Sequence, residues 1–312
     1  MSSEMNPVIE AYLSMLSEGD ITPEFLEEKL ITFGGAAYPK FGHVVIMAGG
    51  AGSGKGFVLN NLVGLQGKVF DVDELKQLAT RSPKIIQRVR DELGIDLTKL
   101  DTRQNQLALK DPDNVALLHE IVGDVLNIPD RRQQAFLTSV MAADSERKPN
   151  IIFDVTLKDF QKLNNITRMA KNLGYATQNI HIVWVVNDIE VALSQNITRD
   201  RTVPAEILIN THRGVSATMM DIINMGSGLT RYMDGDIVFA FNQVKVDSEL
   251  GRRSDEVANT IFGGKTRGQY VKDANYFYVK RAGKQVMSLQ NMSKDLRQKV
   301  NDYVPPNVSW VD

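Results

Sequence analysis

The chain has 312 residues, 43% of them hydrophobic and 24% charged, with a formal net charge of -2, a composition ordinary for a globular protein with a sizeable core. It contains no cysteine, which excludes disulfide frameworks, thiolate zinc sites and thiol catalysis. Met1 to Asn6 lack the basic start and apolar run of a signal peptide, and no stretch approaches the roughly 18 apolar residues of a membrane span, so a cytoplasmic protein is expected.

Residues 1–42 read as an acidic helical lead carrying two short helical patterns. The second is the better signalled: Thr22 suits an N-cap, Pro23 the first helical position, and Glu24, Glu27 and Glu28 the positive end of the dipole. Phe33-Gly34-Gly35 is the expected end, and Pro39 forbids continuation. From His43 the pattern changes to buried strands at Val44 to Ala48, Val69 to Asp71, Ile151 to Val155, Ile180 to Val186 and Ile237 to Phe241. Helices are expected between them, as at Phe57 to Leu65 and Phe160 to Leu173, with Gly174 as the stop of the latter. Strands alternating with helices imply an α/β sheet covered on both faces over residues 43–242. Two intervals break the rhythm. Residues 75–148 read as a helical insertion, with stops near Pro83, Pro112 and Pro129, and residues 194–228, rich in Arg, Thr and Asn, as a lid-like segment. Residues 243–312 read as a small appendage with a β-hairpin, Tyr276 to Lys280 and Gln285 to Leu289, joined around Ala282-Gly283. This tail is basic, with 12 Lys and Arg against 8 Asp and Glu, and it interleaves Arg252, Lys272, Lys280 and Arg281 with Tyr270, Tyr276, Phe277 and Tyr278. That texture fits either a solvated surface or a face for a polyanion.

The most informative segment is Gly49-Gly50-Ala51-Gly52-Ser53-Gly54-Lys55. It matches G-x-x-x-x-G-K between a buried strand and a helical pattern, the context a phosphate-binding loop requires. Backbone N–H groups can wrap a phosphate only where the chain approaches closely and takes angles that glycine permits. The following helix adds the partial positive charge of its N-terminus, and Lys55 adds a full charge for the β/γ oxygens. The Ser or Thr that usually follows the Lys and helps to hold Mg²⁺ is Gly56 here, followed by Phe57. Metal ligation must therefore lean on other carboxylates and on water.

Two carboxylate clusters lie where ligands of open α/β sheets bind, at the C-terminal ends of strands. In Phe70-Asp71-Val72-Asp73-Glu74, Asp73 is the first choice for a residue that accepts or orients an acceptor proton, with Asp71 second and acceptor-binding. The alternative is that either one caps the next helix. Ile151-Ile-Phe-Asp-Val-Thr156 ends like a Walker B strand, so that Asp154 would face Mg²⁺ directly or through water, or else cap the next turn, with Thr156 near an acceptor or phosphate. In the lid-like segment, Arg199 and Arg201, with Arg213 beyond, are suited to meet developing phosphoryl charge; the alternative is an ordinary solvated helix end. His43, His119, His181 and His212 lack metal-ligand spacing and read as core-edge or surface residues.

With these residues in place, the chain resembles the zeta-toxin family of P-loop kinases from about Val44 to Gly226. The resemblance is carried by Gly49 to Lys55, Val69 to Glu74, Asn150 to Leu157, Ala170 to Tyr175, Ile182 to Val186, and Glu190 to Leu193 leading to Arg199 and Arg201. It implies ATP-dependent phosphorylation of a hydroxyl on a UDP-activated amino sugar, with Asp73 engaging that hydroxyl, Lys55 clamping phosphate, and Arg199 and Arg201 stabilising the transition state. Gly56, the acidic lead and the basic tail depart from the family pattern. The expected cofactors are ATP and Mg²⁺. The expected partners are a hydroxyl-bearing acceptor (a nucleotide sugar or nucleic acid) and an inhibitory protein, with no membrane. The alternatives are a polynucleotide or modified-base kinase and a nucleotide-binding module without transfer.

Overall fold

Apolar runs without alternation can be buried on both sheet faces only if helices cover both, and the chain meets that demand around one seven-stranded sheet. The computed structural model describes residues 31–35, 39–126, 135, 138, 140–189, 192, 193, 196, 202–246, 270–281, 284, 285, 294, 296–298, 300–304 and 310. The strands are β1 (Val44–Ala48), β2 (Lys68–Asp71), β3 (Ile151–Val155), β4 (Ile180–Asn187), β5 (Ile237–Val246), β6 (Tyr270–Arg281) and β7 (Lys284–Gln285). Their order is β2-β3-β1-β4-β5-β6-β7. Neighbours from β2 to β5 are parallel, and β6 and β7 are antiparallel additions at one edge.

Helices α1 (Lys55–Asn61), α2 (Val72–Ala79), α3 (Pro83–Leu93), α4 (Pro112–Glu120), α5 (Phe160–Asn172) and α6 (Ala205–Asn224) complete the frame. Alternate residues of each strand serve opposite cores. Val44, Ile46, Ile182, Trp184 and Phe239 pack with Leu163, Ile166 and Ala170 of α5 and with Leu208, Val215 and Met219 of α6. Val45, Met47, Val183, Val185 and Ala240 pack with Val58 of α1 and with Ile31 and Phe33. β1 lies between β3 and β4. The connections from β1 leave toward one edge, through β2, while β3 returns across to β4. The strand order therefore reverses at the C-terminal end of β1, which is where open α/β sheets bind ligands.

The sequence expectations meet this frame with several corrections. The helix expected over Phe57 to Leu65 stops at Asn61, because Val63 pairs with Ile31 and the Gly64 N–H donates to Ile31 O at 2.9 Å. The lead helix expected to end at Phe33 is not helical there: Ile31 and Phe33 sit in bridges, and Thr32 N–H donates to the Tyr278 hydroxyl at 2.9 Å. The rest of the lead helix lies outside the described residues. Pro83 and Pro112 open helices rather than ending them, each at N1/N2, since a missing N–H costs nothing there. The insertion has its own core of Ala79, Val89, Leu97, Leu100, Leu109, Leu118 and Ile121. Within residues 194–228, Ala205–Asn224 form a 20-residue helix with nine buried residues, so that stretch is a structural member and not a lid. Arg, Thr and Asn on its remaining faces concealed the period of Leu208, Val215, Met219 and Ile222.

β5 runs past residue 242 and pairs with β6 over its whole length, so the hairpin extends the main sheet. Of its second strand only Lys284–Gln285 is a described strand, and residues 286–290 lie outside the described residues. Tyr276, Phe277 and Tyr278 are engaged in packing. Phe277 stacks on Phe239 at 5.5 Å and on Phe241 at 5.7 Å, and Tyr276 and Tyr278 cover the opposite core. Lys280 pairs with Asp234, and Arg281 lies over the Tyr278 ring at 4.7 Å. Three of the four aromatic residues that suggested a polyanion face are thus partly buried against the sheet, and the side chain of Tyr270 lies outside the described residues.

At the N-terminal edge of the sheet, two histidines expected to be unrelated meet. The Asp236 N–H donates to His181 Nδ1 at 2.9 Å, so His181 carries its hydrogen on Nε2 and donates it to His43 Nδ1 at 2.9 Å. The Asp236 carboxylate in turn accepts Gly34 N–H at 2.7 Å. Burial first, and then the neighbouring His181, lower the His43 pKa to about 4. The unfolded chain therefore binds protons from about pH 6.5 downward while the folded chain resists them, and stability falls as pH drops through that window. Urea titrations of wild type at pH 7 and pH 5 should show this loss, and His43→Gln should reduce, without abolishing, the difference between the two pH values, since buried His212 is shifted in the same direction.

Candidate active site

β1 ends in a loop whose backbone is dictated by its glycines. Gly52 and Gly54 have φ of 77° and 88°, in the left-handed region that side chains disfavour. Gly49 and Gly50 are needed for a different reason, close approach. A Cβ on Gly49 would lie 2.5 Å from Ser53 Oγ and 2.9 Å from Val185 O, and one on Gly50 would lie 2.2 Å from the His212 ring. Gly54 then serves as the N-cap position of α1, and Lys55 is its first residue. A strand, a glycine turn and a helix N-terminus thus converge at the sheet's reversal point, and the residues present fit a bound polyphosphate.

Lys55 Nζ donates to Gly49 O at 2.9 Å and lies 3.6 Å from Asp154 Oδ1. The Lys55 and Asp154 side chains keep 16% and 20% of their exposure, so the pair is open enough to meet a ligand and sheltered enough for its charges to be felt. Asp154 is brought there by register, since it pairs with Met47 of β1 on one side and with Asp71 of β2 on the other. Thr156, just beyond β3, accepts Gly49 N–H on its backbone carbonyl at 3.4 Å. The next residue, Leu157, holds a φ of 55° while 1% exposed. That is a strained backbone position for a non-glycine, and its side chain is locked in the core shared by α5 and α6.

α2 starts at Val72, directly after Asp71, which puts Asp73 in its first turn at the C-terminal end of β2. Arg199 and Arg201 lie outside the described residues. The residues that bracket them in sequence are anchored: Asn196 bonds both polar groups of Val203, through Nδ2 to O at 2.6 Å and Oδ1 from N at 2.9 Å, and Thr202 N–H reaches Leu109 O of the insertion at 3.1 Å. Arg213 is exposed on α6. Phe57 is half-buried against the core beneath α1. Gly56 is exposed, and a Cβ there would meet nothing within 4 Å. The structure thus leaves room for the hydroxyl side chain that this loop lacks.

Sequence reading missed three residues that hold the loop. Asn187, 0% exposed at the end of β4, donates from Nδ2 to Gly52 O at 3.2 Å. Thr211 Oγ1 accepts Ala51 N–H at 3.1 Å, and His212 Nε2 meets Ala51 O at 2.8 Å. Asn187 was findable, being a polar residue that closes an apolar strand beside the loop. Thr211 and His212 had no local signal, because they reach the loop only through the packing of α6. A carbonyl only accepts, so His212 carries its hydrogen on Nε2. Burial first, and also the Lys55 charge, lower its pKa to about 4, and it is neutral at physiological pH. Among the described residues no cluster of three or more His, Asp or Glu could hold a metal ion, and no helix is long and apolar enough to cross a membrane. A Mg²⁺ carried on phosphates needs only one or two protein carboxylates, and Asp154 fits that lesser demand.

No family model matches the chain, and no curated protein does. Among solved structures, it is similar to the AvrRxo1-ORF1:AvrRxo1-ORF2 complex determined with ATP, at 10% identity and a TM-score of 0.37 over 87% of this chain and 79% of that one. The same complex with sulphate ions gives 11% identity and a TM-score of 0.37 over 86% and 72%. A structure from the PezAT chromosomal toxin–antitoxin system of Streptococcus pneumoniae gives 15% and 0.34 over 77% and 79%. These are loose overlaps, and the reading of the site rests on this chain's own residues.

The glycines of the loop should respond unequally to substitution. Gly50→Ala should weaken retention of a fluorescent ATP analogue by at least tenfold, because its Cβ cannot coexist with His212. Gly56→Thr should fold normally, with a gain of only about 0.3 kcal/mol over the helical glycine because Thr is itself a poor helix former, so a urea titration should show stability no lower than wild type.

Proposed function

We propose that this protein is an ATP-dependent kinase that moves the γ-phosphate to a hydroxyl of a small acceptor such as a nucleotide sugar. The observation that carries the proposal is the glycine loop at the sheet's reversal point, with Lys55 3.6 Å from Asp154 and the Asp71–Asp73 strand end alongside.

In this reading the N–H groups of the loop and of the first turn of α1 bind the phosphates, and Lys55 exchanges its contact with Gly49 O for the β/γ oxygens. Asp154 would hold Mg²⁺ directly or through water, with no side chain contributed by Gly56, and the ion would supply neutralisation of phosphate charge. The acceptor hydroxyl oxygen forms a bond to the γ-phosphorus as the bond from that phosphorus to the β–γ bridging oxygen breaks. The hydroxyl proton goes to Asp73, and ADP leaves. Asp71, Thr156 and Arg213 serve the acceptor side, and the insertion, with its separate core, builds the acceptor pocket. Arg199 and Arg201 meet the developing charge, a role supported by the anchoring of Asn196 and Thr202 against Val203 and the insertion.

The test is transfer of labelled γ-phosphate from Mg-ATP into a panel of UDP-sugars, nucleosides, nucleotides and oligonucleotides. Label should enter one class and be lost in Lys55→Ala. Asp73→Asn should keep ATP affinity while transfer drops about 10²–10⁴-fold, the usual scale for a general base. ATP retention with no transfer to any acceptor would instead mark a binding module.

A further inference from the structure

We infer that His212 is a positioning residue of the phosphate loop, fixing the Gly50–Ala51 segment from outside through α6. The inference rests on the reading of Gly49–Lys55 as a nucleotide cradle and adds the residue that sets its shape. Two successive residues of one helix take both polar groups of Ala51: its N–H donates to Thr211 Oγ1 at 3.1 Å, and its carbonyl accepts from His212 Nε2 at 2.8 Å. The Thr211 hydroxyl donates to Leu208 O at 2.7 Å, which leaves its lone pairs for the Ala51 N–H. The imidazole covers Gly50 so closely that a Cβ there would stand 2.2 Å from the ring.

The ring is itself held from behind. Trp310 lies 5.6 Å from it between centroids, and the Trp310 backbone N–H donates to Asn301 Oδ1 at 2.9 Å. His212 is 3% exposed and Trp310 7%. The assignment to positioning rather than catalysis follows from the commitment of Nε2 to the Ala51 backbone carbonyl. Ala51 N–H is turned to Thr211, so phosphate falls to the later N–H groups of the loop and to α1. Holding the loop in one shape before the ligand arrives removes an ordering cost from binding, and a polar group locked by packing on a rigid helix is the means of doing so.

The test uses the full chain and a fluorescent ATP analogue, with label transfer as a second readout. His212→Phe keeps a flat ring over Gly50 and removes the donor, whereas His212→Gln keeps an N–H at a similar reach. His212→Phe should bind about 3- to 10-fold more weakly, the worth of one neutral hydrogen bond. Its KM for ATP should rise with kcat within about twofold, the pattern of lost uniform binding, and His212→Gln should recover most of the loss. Thr211→Val, which removes the other contact at constant volume, should weaken binding comparably and keeps the test open if His212→Phe does not fold. Equal affinity in His212→Phe or in Thr211→Val and wild type, or a loss in His212→Gln as large as in His212→Phe, overturns the inference alone. A wild-type chain that retains no ATP overturns the cradle reading and this inference together.

Discussion

A loop that binds phosphate with its backbone must leave N–H groups uncommitted and still keep one conformation. Those two demands conflict, because backbone groups not paired internally ordinarily let a segment wander. In the proposed nucleotide cradle the conflict is met by tethering the loop from several sides. Gly49 N–H goes to Thr156 O, Ala51 is held by Thr211 and His212, and Gly52 O accepts from Asn187. Each tether comes from a different element, the β3 end, α6 and the end of β4. The loop's shape is therefore a property of the assembled sheet and its helices, and the glycines are what allow those elements to come so near.

The same arrangement explains why α6 is long and deeply buried. It must cover β4 and β5 with Val215, Met219 and Ile222 while presenting Thr211 and His212 to the loop. A mobile lid could not do this. On the N-terminal side of α6, Asn196 and Thr202 are tied by hydrogen bonds to Val203 and to the insertion. The insertion, in turn, can stand beside the site as a unit because it buries a core of its own. Buried Asp101 adds to that unit, accepting from Arg81 at 3.2 Å and from the Arg103 N–H at 3.1 Å.

The far edge of the sheet is built differently, by polar groups that satisfy one another. His43, His181 and Asp236 form a chain that ends on Gly34 N–H. Tyr278 hydrogen-bonds both the N–H and the carbonyl of Thr32. These contacts join the start of the described chain to β6, near its other end, so the antiparallel edge is integral to the sheet. Phe277 makes the same point from the other face, stacking on Phe239 and Phe241 of β5.

The sequence by itself determined the strands β1 to β4 to within a residue at each end, and the start of β5, because runs such as Val44–Ala48 are apolar throughout and admit no surface position. It also determined the glycine loop, because glycine at Gly49, Gly50, Gly52 and Gly54 answers local backbone and contact requirements that few other residues meet. Asp154 was legible for a related reason: a carboxylate ending a buried strand must face a site or a cap. Tertiary structure alone decided that His212 and Thr211 clamp Ala51, that His43 meets His181 across 138 positions of chain, that residues 205–224 are a core helix, and that Tyr276, Phe277 and Tyr278 pack against the sheet. Those outcomes depend on which helix face meets which strand and how far one element lies from another. Side-chain periodicity within a single segment does not carry that information, so contacts between distant segments, unlike the glycine loop, leave no mark in the local sequence.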